Sequence, residues 1–152
     1  MDQIDRTILG CLEDDARMSL KDLSRQCYIS APAVSARIAR LRERGYITGF
    51  HAAVDCERMG YPIKAFVSLC LVPKDKDEFY PYVKGCRNVV GCDCVTGKYS
   101  QILTCRFRTT KELDEFINEL QRFGETQTQI VFSTSVEPRA LRPEEDEKQG
   151  RG

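Results

Sequence analysis

Four arginines, Arg37, Arg40, Arg42 and Arg44, fall within eight residues of a chain whose 23 basic and 23 acidic side chains cancel. A guanidinium keeps its charge at any physiological pH and offers a planar fork of N–H donors, so such a cluster is suited to oxyanions and to the acceptor edge of guanine. With no net charge, the chain is not a general polycation, and an anionic partner must be met by a local patch. The other chemically capable side chains are less organised. Cys86, Cys92, Cys94 and Cys105 are the closest group of the eight cysteines. Their C-x5-C-x-C opening matches no usual zinc spacing and has no histidine near it. They read as core packing, with Cys92 and Cys94 on one face of a strand. The single histidine, His51, reads as a structural polar residue. No paired-carboxylate, Cys-His or glycine-rich phosphate arrangement stands in a suitable context, so no catalytic residue, metal ligand or cofactor is expected.

The arginines need a helix to hold them. On a wheel of about 100° per residue, Ile38 and Leu41 lie within about 40° of Val34, and the three form a buried stripe. Ala33, Ala36, Arg37, Arg40 and Arg44 gather between about 200° and 300° from Val34, while Arg42 stands apart near about 80°. Ser30 caps this helix, Pro32 falls in its first turn, and Gly45 stops it. Two shorter helices precede it. Asp2 caps one that buries Ile4, Ile8, Cys11 and Leu12; Ser19 with Asp22 caps another that buries Leu20, Leu23 and Cys27. Tyr28-Ile29 then makes the tight connection of a helix-turn-helix. Its second helix, 30–44, is expected in the major groove of duplex DNA, with Ser30, Ala31, Ala33 and Ser35 reaching base edges and Ala36 allowing close approach. Arg37, Arg40 and Arg44 are expected on guanine or phosphate, a well-placed arginine–guanine pair being worth about 1–3 kcal/mol of discrimination. The simpler alternative is a solvated basic face.

After Gly45, YITGFHAAVD reads as an extended segment or small hairpin, and residues 57–62 as a turn-rich link. The second half alternates with period two over 63–72, turns helical over 76–85, and gives two strands near 88–96 and 100–108. An amphipathic helix through Leu113, Phe116, Ile117, Leu120 and Phe123 follows, then alternation again over 127–137. That order, β-α-β-β-α-β, is ferredoxin-like. The expected fold class is therefore α+β, with a winged helix-turn-helix domain at 1–50, a linker strand and turn at 51–61, a ferredoxin-like domain at 62–137, and a disordered charged tail at 138–152. The sheet face away from the helices, with Phe66, Cys70, Val72, Ile102 and Val131, is apolar enough to predict dimerisation. No apolar run approaches the roughly 18 residues needed to span a bilayer. The opening MDQIDRTILG lacks a signal peptide's basic region, so a cytoplasmic protein is expected.

These residues also resemble a known family. I-D-x-x-I-L from Ile4, L-x-x-D-x-R from Leu12 to Arg17, S-x-x-x-V-x-x-R-I-x-x-L from Ser30 to Leu41, GYITGF at 45–50 and V-T-G at 95–97 occur in the order typical of Lrp/AsnC (feast/famine) transcription regulators. The resemblance covers the chain to about residue 137. It implies a sequence-specific, non-enzymatic DNA-binding domain joined to a regulatory domain that forms a homodimer, with dimers often assembling into octameric rings. It also implies an amino acid or related small effector near the loop of the central hairpin. There Gly97, Lys98, Tyr99 and Ser100 match the loop, and Thr126 and Thr128 match threonines entering the last strand. Ser100 stands where the family commonly has an aspartate, and a serine can only hydrogen-bond an ammonium group. Two other functions use the same scaffold: a siroheme-decarboxylase-like enzyme acting on a tetrapyrrole, and an architectural DNA-compacting protein. A thiol or metal sensor built on the four grouped cysteines is a further alternative.

Overall fold

The computed structural model describes residues 1–141. They form two compact units: Met1–Ala53 together with residues 137–141, and Val54–Val136.

The first unit holds α1 (Gln3–Asp14), α2 (Leu20–Cys27) and α3 (Ala31–Glu43). Each begins where a short polar side chain takes up an otherwise unpaired first-turn N–H. Asp2 accepts from the Asp5 N–H at 2.8 Å while the Asp5 carboxylate accepts from the Asp2 N–H at 3.3 Å. The Ser19 and Ser30 hydroxyls accept from the N–H groups of Asp22 and Ala33. Tyr28 closes α2 in a left-handed conformation, φ 55°, so that only three residues separate α2 from α3. Ile8, Leu23, Cys27, Val34 and Leu41 are buried at the centre, packed by Ile4, Cys11, Leu12, Ile38 and Ile47. At the end of α3 the N–H of Gly45 bonds to the Arg42 carbonyl and that of Tyr46 to the Leu41 carbonyl, a closure that needs the φ of 74° glycine adopts freely. The extended segment follows as expected, but no hairpin forms: residues 46–53 contain no strand. Every residue from Thr48 to Asp55 is exposed, and a two-stranded ribbon that buries no apolar face is marginal.

The second unit is a four-stranded antiparallel sheet of β1 (Ile63–Leu71), β2 (Val89–Cys94), β3 (Gln101–Phe107) and β4 (Gly124–Ile130), in the order β2-β3-β1-β4. Helices α4 (Lys76–Gly85) and α5 (Thr110–Leu120) cover one face, as the ferredoxin-like arrangement requires. Ala65, Val67, Leu69 and Leu71 of β1 and Leu103, Cys105 and Phe107 of β3 point into the core, against Phe79, Val83, Leu113, Phe116, Leu120 and Phe123. Strand β4 starts and ends earlier than the alternation over 127–137 suggests. Gly124 opens the strand instead of ending the helix, because its α-carbon passes so close to β1 that a Cβ would sit 2.0 Å from the Cys70 carbonyl oxygen. The ladder ends at Ile130, past which only the Val131 N–H still bonds to β1, at the Lys64 carbonyl.

Phe66, Cys70 and Ile102 lie half-buried on the sheet face opposite the helices, as read from the alternation. Val72 and Val131 fall beyond the strand ends, so that face is less apolar than expected. Residues 138–141 are irregular and belong to the first unit; the rest of the charged tail expected at 138–152 lies outside the described residues. Among the described residues no helix is long and apolar enough to cross a membrane.

Candidate nucleic-acid interface and effector site

Helix α3 carries its arginines as a helix does, but they do not form one free face. Arg37 is a correction to the expectation. Its Nη1 donates to Asp2 Oδ2 at 2.6 Å and to Asp5 Oδ1 at 2.8 Å, and its side chain is only 23% exposed. On the wheel it flanks the buried stripe by about 60°, so a long side chain reaches across to the capped start of α1. Asp5 is 2% exposed. Burial pushes its carboxyl up, but hydrogen bonds from Arg37 and from the Asp2 backbone outweigh that and hold it below the ordinary value of 3.8. The Asp5 backbone N–H and Arg37 likewise lower Asp2, and the two carboxylates raise Arg37 in return. The pair therefore ties α3 to α1. Arg40, half exposed, touches Asp5 only weakly at 3.4 Å.

What α3 leaves outward is a small, acid-free N-terminal surface and a basic C-terminal end. Ser30, Ser35 and Ala36 are exposed, Ala31 and Ala33 half-buried, and no acidic residue stands in the first turn. Arg40, Arg42 and Arg44 are exposed, with the Arg44 guanidinium 5.5 Å from the Tyr46 ring centre. Three residues carry more than the sequence pattern marks. Asp2 stands there only as a cap, and Asp5 has no role beyond the family motif. Tyr28, 94% exposed in the turn before α3, was read only as part of a connection; a large aromatic in so short a turn was the available signal.

The second site lies at the β2–β3 hairpin, closed by the Val95 N–H to the Ser100 carbonyl. Lys98 Nζ donates to Glu125 Oε1 at 2.6 Å, the Tyr99 hydroxyl donates to the same oxygen at 3.2 Å, and Lys98 lies 5.0 Å from the Tyr99 ring centre. The Lys98 hydrogen bond is the main reason the Glu125 carboxyl is held below its usual range, and Lys98 is raised by the same contact. Ser100 Oγ accepts the Leu71 N–H at 3.3 Å. Thr126 and Thr128 are not drawn into this group. They pair with Leu69 and Val67 on the helix side of the sheet, where Thr128 Oγ1 is buried without a hydrogen-bond partner. Glu125, one residue earlier on β4 and so on the opposite side, makes the contact, and nothing in the sequence pattern marked it.

The cysteines are all free thiols. Burial pushes Cys105 up to about 12 and also raises Cys92, the reverse of what a reactive thiolate needs. Among the described residues no three His, Cys, Asp or Glu side chains are placed to hold a metal ion. His51 is exposed on the extended segment.

A capped helix-turn-helix followed by an α/β unit with a polar cluster at its hairpin defines a two-domain DNA-binding regulator. Residues 1–48 match the winged helix-turn-helix DNA-binding model, and residues 64–141 match the Lrp/AsnC ligand binding domain. The chain belongs to the Lrp/AsnC family and is a helix-turn-helix transcriptional regulator of that type. It is 28% identical over 152 residues to the transcriptional regulator LrpC of Bacillus subtilis, covering 100% of this chain and 99% of that protein. The solved structure of LrpC superposes with a TM-score of 0.84, covering 88% of this chain and 96% of LrpC. Ptr1, a transcriptional regulator of Methanocaldococcus jannaschii, is 31% identical over 119 residues, 78% of this chain and 80% of Ptr1. A feast or famine regulatory protein of M. tuberculosis, solved with L-methionine, is 28% identical with a TM-score of 0.86, covering 93% of this chain and 99% of that one. The named relatives are transcriptional regulators, which favours neither the decarboxylase nor the compacting function.

Proposed function

We propose that this chain binds a specific duplex DNA site through α3 and that an amino acid or closely related small molecule adjusts its assembly at the hairpin. The observation that carries the DNA reading is α3 itself: aliphatic inward, small and acid-free where it would meet base edges, basic at its far end. Ser30, Ala31, Ala33, Ser35 and Ala36 line the approach to the bases. Arg44 and Arg40, with Arg42, supply phosphate or guanine contacts, and Arg37 positions the helix. Tyr28 adds an aromatic contact at the turn. The half-buried Phe66, Cys70 and Ile102 support a homodimer through the open sheet face, which would engage half-sites about 34–36 Å apart or a multiple of that, with an octamer as the larger assembly. The protein is read as cytoplasmic, and as acting without catalytic chemistry because its named relatives are transcriptional regulators.

For the effector, Lys98 and Glu125 offer a cation and an anion side by side, matched to the carboxylate and ammonium of an amino acid. Gly97, Tyr99 and Ser100 frame them, and Glu125 supplies the carboxylate that Ser100 does not. Thr126 and Thr128 shape the strand beneath. The test is fluorescence anisotropy with the chain's own upstream DNA, with and without each amino acid, on wild type, Arg44→Ala and Glu125→Gln. Arg44→Ala should weaken DNA binding and reduce the salt slope by about one. Glu125→Gln should keep DNA binding and lose the amino-acid response. Unchanged DNA binding in Arg44→Ala and Arg40→Ala combined would refute the α3 assignment.

A further inference from the structure

At the opposite end of the sheet from the hairpin, three side chains converge at the surface. Tyr61 precedes β1, Arg87 lies between α4 and β2, and Arg108 lies between β3 and α5. Both arginines donate through Nη2 to the single Tyr61 hydroxyl, Arg108 at 3.1 Å, and their guanidinium carbons stand 5.5 and 5.1 Å from its ring centre. Neither forms an ion pair among the described residues. Glu112, the acid that acts on Arg108, spends its Oε2 on the Arg108 backbone N–H at 3.0 Å. The backbones are pinned: the Asn88 carbonyl accepts from the Arg106 N–H at 2.8 Å, the Asn88 side-chain amide donates to the Arg106 carbonyl at 2.6 Å, and Thr109 caps α5.

This arrangement sets two exposed guanidiniums side by side, Arg108 steadied by its hydrogen bond to Tyr61. Two like charges are held on one oxygen atom, and one of them stands just ahead of a helix N-terminus, where the macrodipole disfavours a cation. An anion placed between the guanidiniums reverses both terms. Because the phenol oxygen already accepts from two arginines, its own proton points away from them and can donate to that anion. Two forks and a hydroxyl match the several oxygens and high charge of a phosphoryl group better than the single charge of a carboxylate.

We propose that Tyr61, Arg87 and Arg108 form a phosphate-binding site on the regulatory unit, separate from both α3 and the hairpin. The phosphoryl group could belong to a small molecule or to the backbone of bound DNA. Two measurements on the full chain distinguish these sources: calorimetric titration with pyrophosphate in the absence of DNA, and the salt dependence of DNA binding. Each is made on wild type, Arg87→Gln/Arg108→Gln and Tyr61→Phe. A small-molecule site gives pyrophosphate binding that weakens at least about tenfold in the double variant and less in Tyr61→Phe. A DNA-backbone site gives a salt slope lower by about two in the double variant. Neither change, or a wild type that takes up neither partner there, would overturn the proposal. A wild type that fails to bind DNA at all would count against the function proposed for α3, while the pyrophosphate titration would still decide this site.

Discussion

Replacing Arg37 with alanine should destabilise the first unit instead of removing a direct DNA contact. Asp5 is 2% exposed, and Arg37 gives it its shortest bond, 2.8 Å. Leaving a buried charge without its partner costs about 3–5 kcal/mol. Two weaker contacts survive the substitution, the Asp2 N–H at 3.3 Å and Arg40 Nη2 at 3.4 Å, so the net loss should be nearer about 2–3 kcal/mol. At about 4–8 °C per kcal/mol for a small domain, the helical melting transition falls by about 10–20 °C. The pH dependence has a definite sign. Both carboxyls are held below 3.8, so the network's contribution is whole above about pH 4 and drains as pH falls through the lowered values. In Arg37→Ala the buried Asp5 loses the bond that offset its burial and takes up a proton more readily. The gap between variant and wild type should therefore narrow on acidification. Circular dichroism melts of wild type, Arg37→Ala and Asp5→Asn/Arg37→Ala from pH 3 to 8 check this, with the double variant recovering part of the loss. An Arg37→Ala melt within about 2 °C of wild type at pH 7 would refute the assignment and return Arg37 to the DNA-facing surface.

Gly124→Ala should destabilise the second unit by more than about 3 kcal/mol, since its Cβ meets the Cys70 carbonyl at 2.0 Å and the φ of 149° is unavailable to alanine; chemical denaturation followed by near-ultraviolet signal checks this. In thiol-labelling at pH 8, exposed Cys94 should react promptly and buried Cys105, pushed up to about 12, only on unfolding; mass spectrometry of the labelled protein shows the order.

Much of this protein was legible in its residue order because its elements carry their own signals. Asp2, Ser19 and Ser30 announce three helices, Gly45 ends the third, and alternation over Ile63–Leu71 gives a strand whose buried face is read correctly. These are local rules, settled by neighbours three or four residues away or by a period of two. The wheel also placed Val34, Ile38 and Leu41 inward. It failed on Arg37 because a wheel tells direction from one helix axis and says nothing of what another helix brings alongside. Two carboxylates from 32 and 35 residues earlier made an outward-looking arginine into an inward one.

The same distinction separates the two candidate sites. The hairpin and its Lys98 could be found by position, but Glu125 enters only because β4 pairs with β1, which brings it across from the loop, while strand alternation turns Thr126 to the other side. The sequence by itself determined the order of elements, the caps of the first three helices and most of the apolar faces, since each depends on short-range geometry; Leu20, expected inward, is exposed. The tertiary structure decided which charges meet. An ion pair forms between residues that are near in space, and only the packed chain sets that distance.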